Sequence, residues 1–174
     1  MDFAYPVGKC EYPEVVSLEM RNRHLEELAN VTARLREAVR GLNDAQLDSP
    51  YRPGGWTVRQ VVHHLADSHM NGYIRFRLAL TEEEPTIKPY DEKKWAELKD
   101  AATEPIEVSL QLMDALHRRW VLLFRSLPEA AFARRLRHPE TGVMRIDTYL
   151  ASYGWHCRHH VAHIIRLRER MNWK

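Results

Sequence analysis

The sequence predicts an all-α fold, an antiparallel bundle of four long helices with elaborated connections. Three observations carry this. Apolar residues recur at intervals of three, four and seven in four separate stretches. No β–α–β alternation and no internal repeat is visible. Only one short segment reads as strands, and it has the form of a single hairpin.

The elements follow in order. Residues 17–42 place Leu18, Leu25, Leu28, Leu35, Val39 and Leu42 on one helical stripe, and Gly41 is a stop signal. Asn43 with Gln46 three residues on is a capping box for one turn ending near Ser49, before a loop at 50–55 that holds proline and two glycines. Thr57 with Gln60 is a second capping box, opening a helix whose stripe of Val58, Val62, Leu65, His69, Tyr73, Phe76 and Leu80 runs to about Thr81. Residues 82–90 contain Pro85 and Pro89 and read as extended; Asp91 is then expected to cap a short helix burying Trp95 and Leu98. After Pro105, Leu112, Leu116, Trp120, Leu123 and Leu127 mark a third long helix, stopped at Pro128, which starts a short turn through Phe132. The hairpin falls at 134–146, with its turn at 139–142. Asp147 is expected to cap the last helix, which reaches about Met171.

Composition bounds the function. At 174 residues the chain suits one domain, 1–174, and with 44% hydrophobic and 29% charged residues it has the make-up of a soluble globular protein. Its 26 Lys+Arg against 24 Asp+Glu give no basic excess to attract nucleic acid, so no nucleic-acid partner is expected. The runs Arg134, Arg135, Arg137, His138 and Arg166, Arg168, Arg170 read as solvated faces. No apolar run approaches the ~20 residues of a membrane span, and no signal-peptide core is visible, so a cytoplasmic protein with no membrane partner is expected. Cys10 and Cys157 form no CxxC or zinc-knuckle pattern and read as free thiols.

Histidine is the departure from average. Seven of the ten lie in two short stretches: His63, His64 and His69, then His156, His159, His160 and His163. His156 and His160 are four apart, so on a helix they share a face and can reach one ion. Tyr149, Tyr153, His163 and Leu167 continue that strip, beside an apolar one of Leu150, Cys157, Val161 and Ile164. A third ligand has to come from another helix, and the second long helix offers His64, with Asp67 one turn further on as an orienting group or proton acceptor. Three neutral imidazoles leave a coordination position for water, as an open catalytic site does. The competing reading is a set of hydrogen-bonded packing histidines. His159 and His163 form a rival pair at the same spacing, and His163 can also line the pocket without ligating. His63, one residue off the His64 face, is expected to be partly exposed. His69 reads as a core or supporting histidine, and His24, His117 and His138 as incidental. There is no HExxH motif, which excludes the zincin arrangement.

The segments YRPGGWTVRQVVHHLADSHMN at 51–71, LTEEEPTIKPYDEKKWAELKD at 80–100 and YGWHCRHHVAHI at 153–164 resemble the DinB-like superfamily, and within it the YfiT-type bacterial metal-dependent hydrolases. The opening YPVGKCEYP at 5–13 is similar too, so the resemblance spans nearly the whole chain. It implies a four-helix bundle in up-down-down-up order, binding a divalent ion, zinc or nickel, through His64, His156 and His160, and it implies a homodimer. Family members often continue the last motif as HHRGQ; here it is HHVAH, with Val161 and His163 in place of Arg and Gln.

The leading function is therefore metal-dependent hydrolysis of a small-molecule substrate, with His64, His156 and His160 as metal ligands and water as the nucleophile. Asp67, Tyr153 and His163 are pocket candidates for a base, none of them assigned. One alternative is a metal-dependent S-transferase of the bacillithiol type, in which a low-molecular-weight thiol takes the place of water. The other is a non-catalytic metal-binding bundle.

Overall fold

The computed structural model describes residues 3–174. The four long helices are α1 (Leu18–Val39), α3 (Val58–Thr81), α6 (Ile106–Arg125) and α7 (Ile146–Met171). Between them lie the short helices α2 (Asp44–Leu47), α4 (Glu92–Ala96) and α5 (Lys99–Thr103), a 3₁₀ turn at Glu129–Ala133, and a hairpin of β1 (Arg135–His138) and β2 (Gly142–Arg145). The strands pair antiparallel, Arg135 opposite Arg145.

Side-chain contacts give the directions of the four helices. α1 and α7 run parallel: His24 meets Gly154 near their starts, and Arg168 bonds the Ala38 and Arg40 carbonyls near their ends. α3 and α6 are also parallel, through the pairs His63–Ser109, His69–His117 and Phe76–Phe124. Across the bundle the sense reverses, with Arg36 on Glu107 and Arg125 on Glu26 between α1 and α6, and Tyr153 on Ser68 and Tyr149 on Phe76 between α7 and α3. The order is up-down-down-up. Because α3 and α6 are parallel neighbours, the chain has to return along the whole of α3, roughly 36 Å for its 24 residues, which is the work of the long connection 82–105.

Local chemistry places the helix starts. Both expected capping boxes form in full, Asn43 with Gln46 and Thr57 with Gln60, each bonding the other's backbone N–H. Gly41 sits at φ 73°, the left-handed conformation that ends α1 without a Cβ penalty. Asp147 is not the cap expected of it. The last helix starts after Arg145, and the Asp147 carboxylate lies in its first turn, accepting from the Thr148 N–H and the Arg145 guanidinium.

Two burial expectations are also corrected. Trp95 and Leu98 stay exposed and only Ala96 of α4 is buried, because this short helix packs on α3 through its small residue. The buried stripe of α6 is Leu110, Met113, His117, Trp120, Val121 and Phe124; Leu112 is exposed and Leu116, Leu123 and Leu127 lie at the margin. The leucines mark the edge of that stripe, and a histidine occupies its middle. Trp120, fully buried, is the hub of the core, in ring contact with His69, Tyr73, Phe76, Phe124 and Tyr153. Among the described residues no helix is long and apolar enough to cross a membrane.

The segment before α1 runs antiparallel along α7 as a strap. The Thr148 hydroxyl, Trp155 Nε1 and His163 Nε2 donate in turn to the carbonyls of Pro13, Gly8 and Ala4.

Candidate metal centre

The capping box at Thr57 launches α3 so that His64, two turns in, faces α7, and His156 and His160 stand one turn apart on the opposing face of α7. One ring nitrogen from each of the three lies within 4.8 Å of the others. His64 and His160 are buried and His156 keeps part of its surface in solvent. Trp56 covers the cluster from one side, 4.5 Å from the His64 ring and 6.4 Å from the His160 ring.

Burial holds these rings neutral. The His64 imidazolium pKa is lowered to about 3 by desolvation and then by the neighbouring histidines, and His156 and His160 are held well below the ordinary value for the same reasons. Neutral imidazole is the ligating form. The spacing fits an ion as well. His64 Nε2 and His156 Nε2 face each other at 3.3 Å. Two nitrogens held tetrahedrally at ~2.0–2.1 Å from one zinc stand roughly 3.4 Å apart. The residues present therefore suit a divalent cation.

His159, His160 and His163 form a second, overlapping group by the same distance measure. Its outer members are engaged in stacking: His159 on Trp155 at 4.1 Å and His163 on Tyr51 at 4.0 Å, with His163 Nε2 also donating to the Ala4 carbonyl. Four of the six buried side-chain nitrogens without a hydrogen-bond partner among the described residues, Nδ1 of His64, His159, His160 and His163, lie in this region.

Several histidines differ from their sequence reading. His63 is buried, not partly exposed, with Nδ1 on the Ser109 hydroxyl at 2.7 Å and Nε2 on the Glu104 carbonyl at 3.0 Å. It ties α3 to α6. His117 is not incidental: it is buried and its Nε2 lies 2.7 Å from His69 Nδ1, while His69 Nε2 lies 3.2 Å from His156 Nδ1. His24 is likewise buried, against Gly154. Spacing could not find these contacts, since the pairs are 46 to 48 residues apart in α3–α6 and 87 apart in α3–α7.

The pocket candidates separate. The Tyr153 hydroxyl is committed to the Ser68 carbonyl and burial holds its pKa well above the ordinary value, so it is a packing group. Asp67 is half-buried, its carboxyl pushed up to about 6 by desolvation and then by Asp100. Neither cysteine offers a ready thiolate: burial raises both, and Cys157 lies in the apolar core. A cleft of about 660 Å³ is walled by Trp56 and His159, whose rings contact those of His64 and His160, and is bounded by Tyr5, Tyr51, Arg52, Gln60, Glu92 and Lys93.

An up-down-down-up bundle whose α3 and α7 share a buried histidine triad capable of holding a metal ion defines the class of this molecule. Residues 27–164 match the DinB superfamily, and the chain belongs to it. Proteins named "Putative metal-dependent hydrolase" from Bacillus mycoides and Bacillus cereus are 50% and 51% identical to it over 172 residues, 99% of each chain. The solved structure of YfiT from Bacillus subtilis, described as a probable metal-dependent hydrolase with an unusual four-helix bundle topology, superposes over 100% of both chains with a TM-score of 0.97 at 50% identity.

Proposed function

We propose that the protein is a metal-dependent hydrolase of a small-molecule substrate, with His64, His156 and His160 as the metal ligands. The observation that carries this is the convergence of three imidazoles from two helices, with a cleft reached through the neighbouring Trp56 and His159. The names of the full-length relatives support the same reading. A divalent ion held there, zinc or nickel, supplies Lewis acidity, lowering the pKa of water and polarising a carbonyl or phosphoryl oxygen.

The chain's own residues do the remainder. His64 and His156 present Nε2 lone pairs toward a common point, and burial keeps them unprotonated at neutral pH. Trp56 excludes water from one side of the triad and forms a wall of the cleft. Arg52 and Lys93 on that cleft can bind an anionic group of the substrate, and Glu92 a cationic one. We further propose that the protein works in the cytoplasm as a homodimer, the exposed Val108, Leu112 and Leu122 of α6 offering an apolar face to a second copy. A monomer by sedimentation would count against the dimer.

The function is tested by loading the purified protein with zinc or nickel and assaying activated esters and amides. Hydrolysis should depend on the metal, need no added thiol, and be lost with metal uptake in each of His64→Ala, His156→Ala and His160→Ala. Turnover seen only with a small thiol would replace hydrolase by S-transferase. If His159→Ala and His163→Ala abolished uptake while His156→Ala did not, the ligand set would be the rival one.

A further inference from the structure

We propose that His69 and His117 are positioning residues that select the protonated nitrogen of His156, so that its Nε2 is delivered as a bare lone pair to the triad. The proposal rests on the ligand assignment above, and it is read from a row of hydrogen bonds crossing α6, α3 and α7. At its far end the Met113 carbonyl lies 2.7 Å from His117 Nδ1. A carbonyl only accepts, so His117 Nδ1 carries the proton. The Thr32 hydroxyl, 3.3 Å from the same nitrogen, adds a longer second acceptor.

A neutral His117 then has a bare Nε2, and His69 Nδ1, 2.7 Å away, has to donate to it. His69 in turn keeps a bare Nε2, which accepts from His156 Nδ1 at 3.2 Å. His156 is left with its lone pair on Nε2, facing His64 at 3.3 Å. Every proton in the row is directed by the backbone carbonyl at its end. Reversing any one ring would set two lone pairs or two N–H groups against each other, at a cost that burial raises.

The neutrality this requires has a physical cause. His69 is fully buried and His117 nearly so, and a charged imidazolium at either position would give up its hydration in the core. The row ends in the core, at Thr32 and Met113, both buried. At that end it has no outlet to solvent, so the row serves to orient and not to carry protons through the bundle. Hydrogen bonds to the outer nitrogen of a ligating histidine fix its ring and raise its basicity, and losing them typically weakens metal binding by ~10–100-fold.

The test reads the nitrogen protonation directly and the metal second. Long-range ¹H–¹⁵N correlation spectra of the ¹⁵N-labelled, metal-free protein should show His156, His69 and His117 all as Nδ1–H tautomers. Cobalt(II) titration, followed by its visible absorption, should show His69→Leu and His117→Phe binding about 10–100-fold more weakly than the parent. His69→Gln, which keeps an acceptor for His156 and a donor for His117, should recover most of the loss. Nε2–H at His156 in the parent protein, or unchanged cobalt affinity in a folded His69→Leu, would overturn the proposal. If the leucine variant does not fold, the parent spectrum decides. If the parent takes up no cobalt, it is the metal reading that fails, and the tautomer pattern still judges the row.

Discussion

Gly72 lies in the middle of α3, where glycine costs helix stability, and the structure shows why alanine does not replace it. A Cβ at position 72 would stand 2.3 Å from Tyr153 Cζ, 2.4 Å from its hydroxyl oxygen and 2.7 Å from Cε1, against the ~3.5–4.0 Å of ordinary contact. The ring has nowhere to go. It is buried among Phe76, Trp120, Tyr149 and His69, and its hydroxyl is bonded to the Ser68 carbonyl at 3.0 Å. Gly72→Ala should gain ~1 kcal/mol of helix propensity. It should lose ~1–3 kcal/mol to overpacking and about 1 kcal/mol with the hydroxyl bond. The net destabilisation is ~1–3 kcal/mol, which for a chain of this length lowers Tm by roughly 3–10 °C. Thermal unfolding followed by circular dichroism measures it, and Tyr153→Leu in the same background should recover part of the loss. A variant as stable as the parent, or more so, would show that Tyr153 yields freely and that the packing beneath the triad is not tight.

Two other outcomes follow from buried histidine. Below neutral pH the metal-free protein should lose stability steadily: His24 and His117 are lowered to about 4 by burial, so between pH 6.5 and 4 the unfolded chain binds the protons and the folded one does not. Their contribution is complete above pH 6.5 and falls by ~1.4 kcal/mol per pH unit for each group, so urea midpoints that stay flat from pH 7 to 5 would contradict it. Chelation of the loaded protein should lower Tm by linkage, an ion at one hundred times its Kd contributing ~2.7 kcal/mol. The bundle should remain folded at room temperature because its apolar core is continuous around Trp120, and complete unfolding by chelator would make the ion structural.

What the sequence disclosed and what it hid divide along physical range. The capping boxes at Asn43 and Thr57 involve groups three residues apart and are legible as written. So is the shared face of His156 and His160, since one helical turn sets it. The stripe of α6 is hidden because its leucines have the composition of core while His117 has no partner in sequence, yet His117 is buried through a partner on α3. Asp147 has the composition of a cap, but the hairpin delivers Arg145 to that position and pairs the two side chains instead. His63, His69 and His117 acquire their partners only when α3 meets α6 and α7, so no spacing rule could show them. The opposite holds for His64: the sequence could propose it only as a residue on another helix, and the fold brings its Nε2 to 3.3 Å from that of His156.

The proposed chemistry turns on one divalent ion held among His64, His156 and His160. Crystals grown with zinc, measured on both sides of the zinc absorption edge, test it most directly through the anomalous difference map. A single strong peak bounded by the imidazoles of His64, His156 and His160 is expected, with His156 presenting Nε2. A peak bounded by His159, His160 and His163, or no peak between α3 and α7, would contradict it.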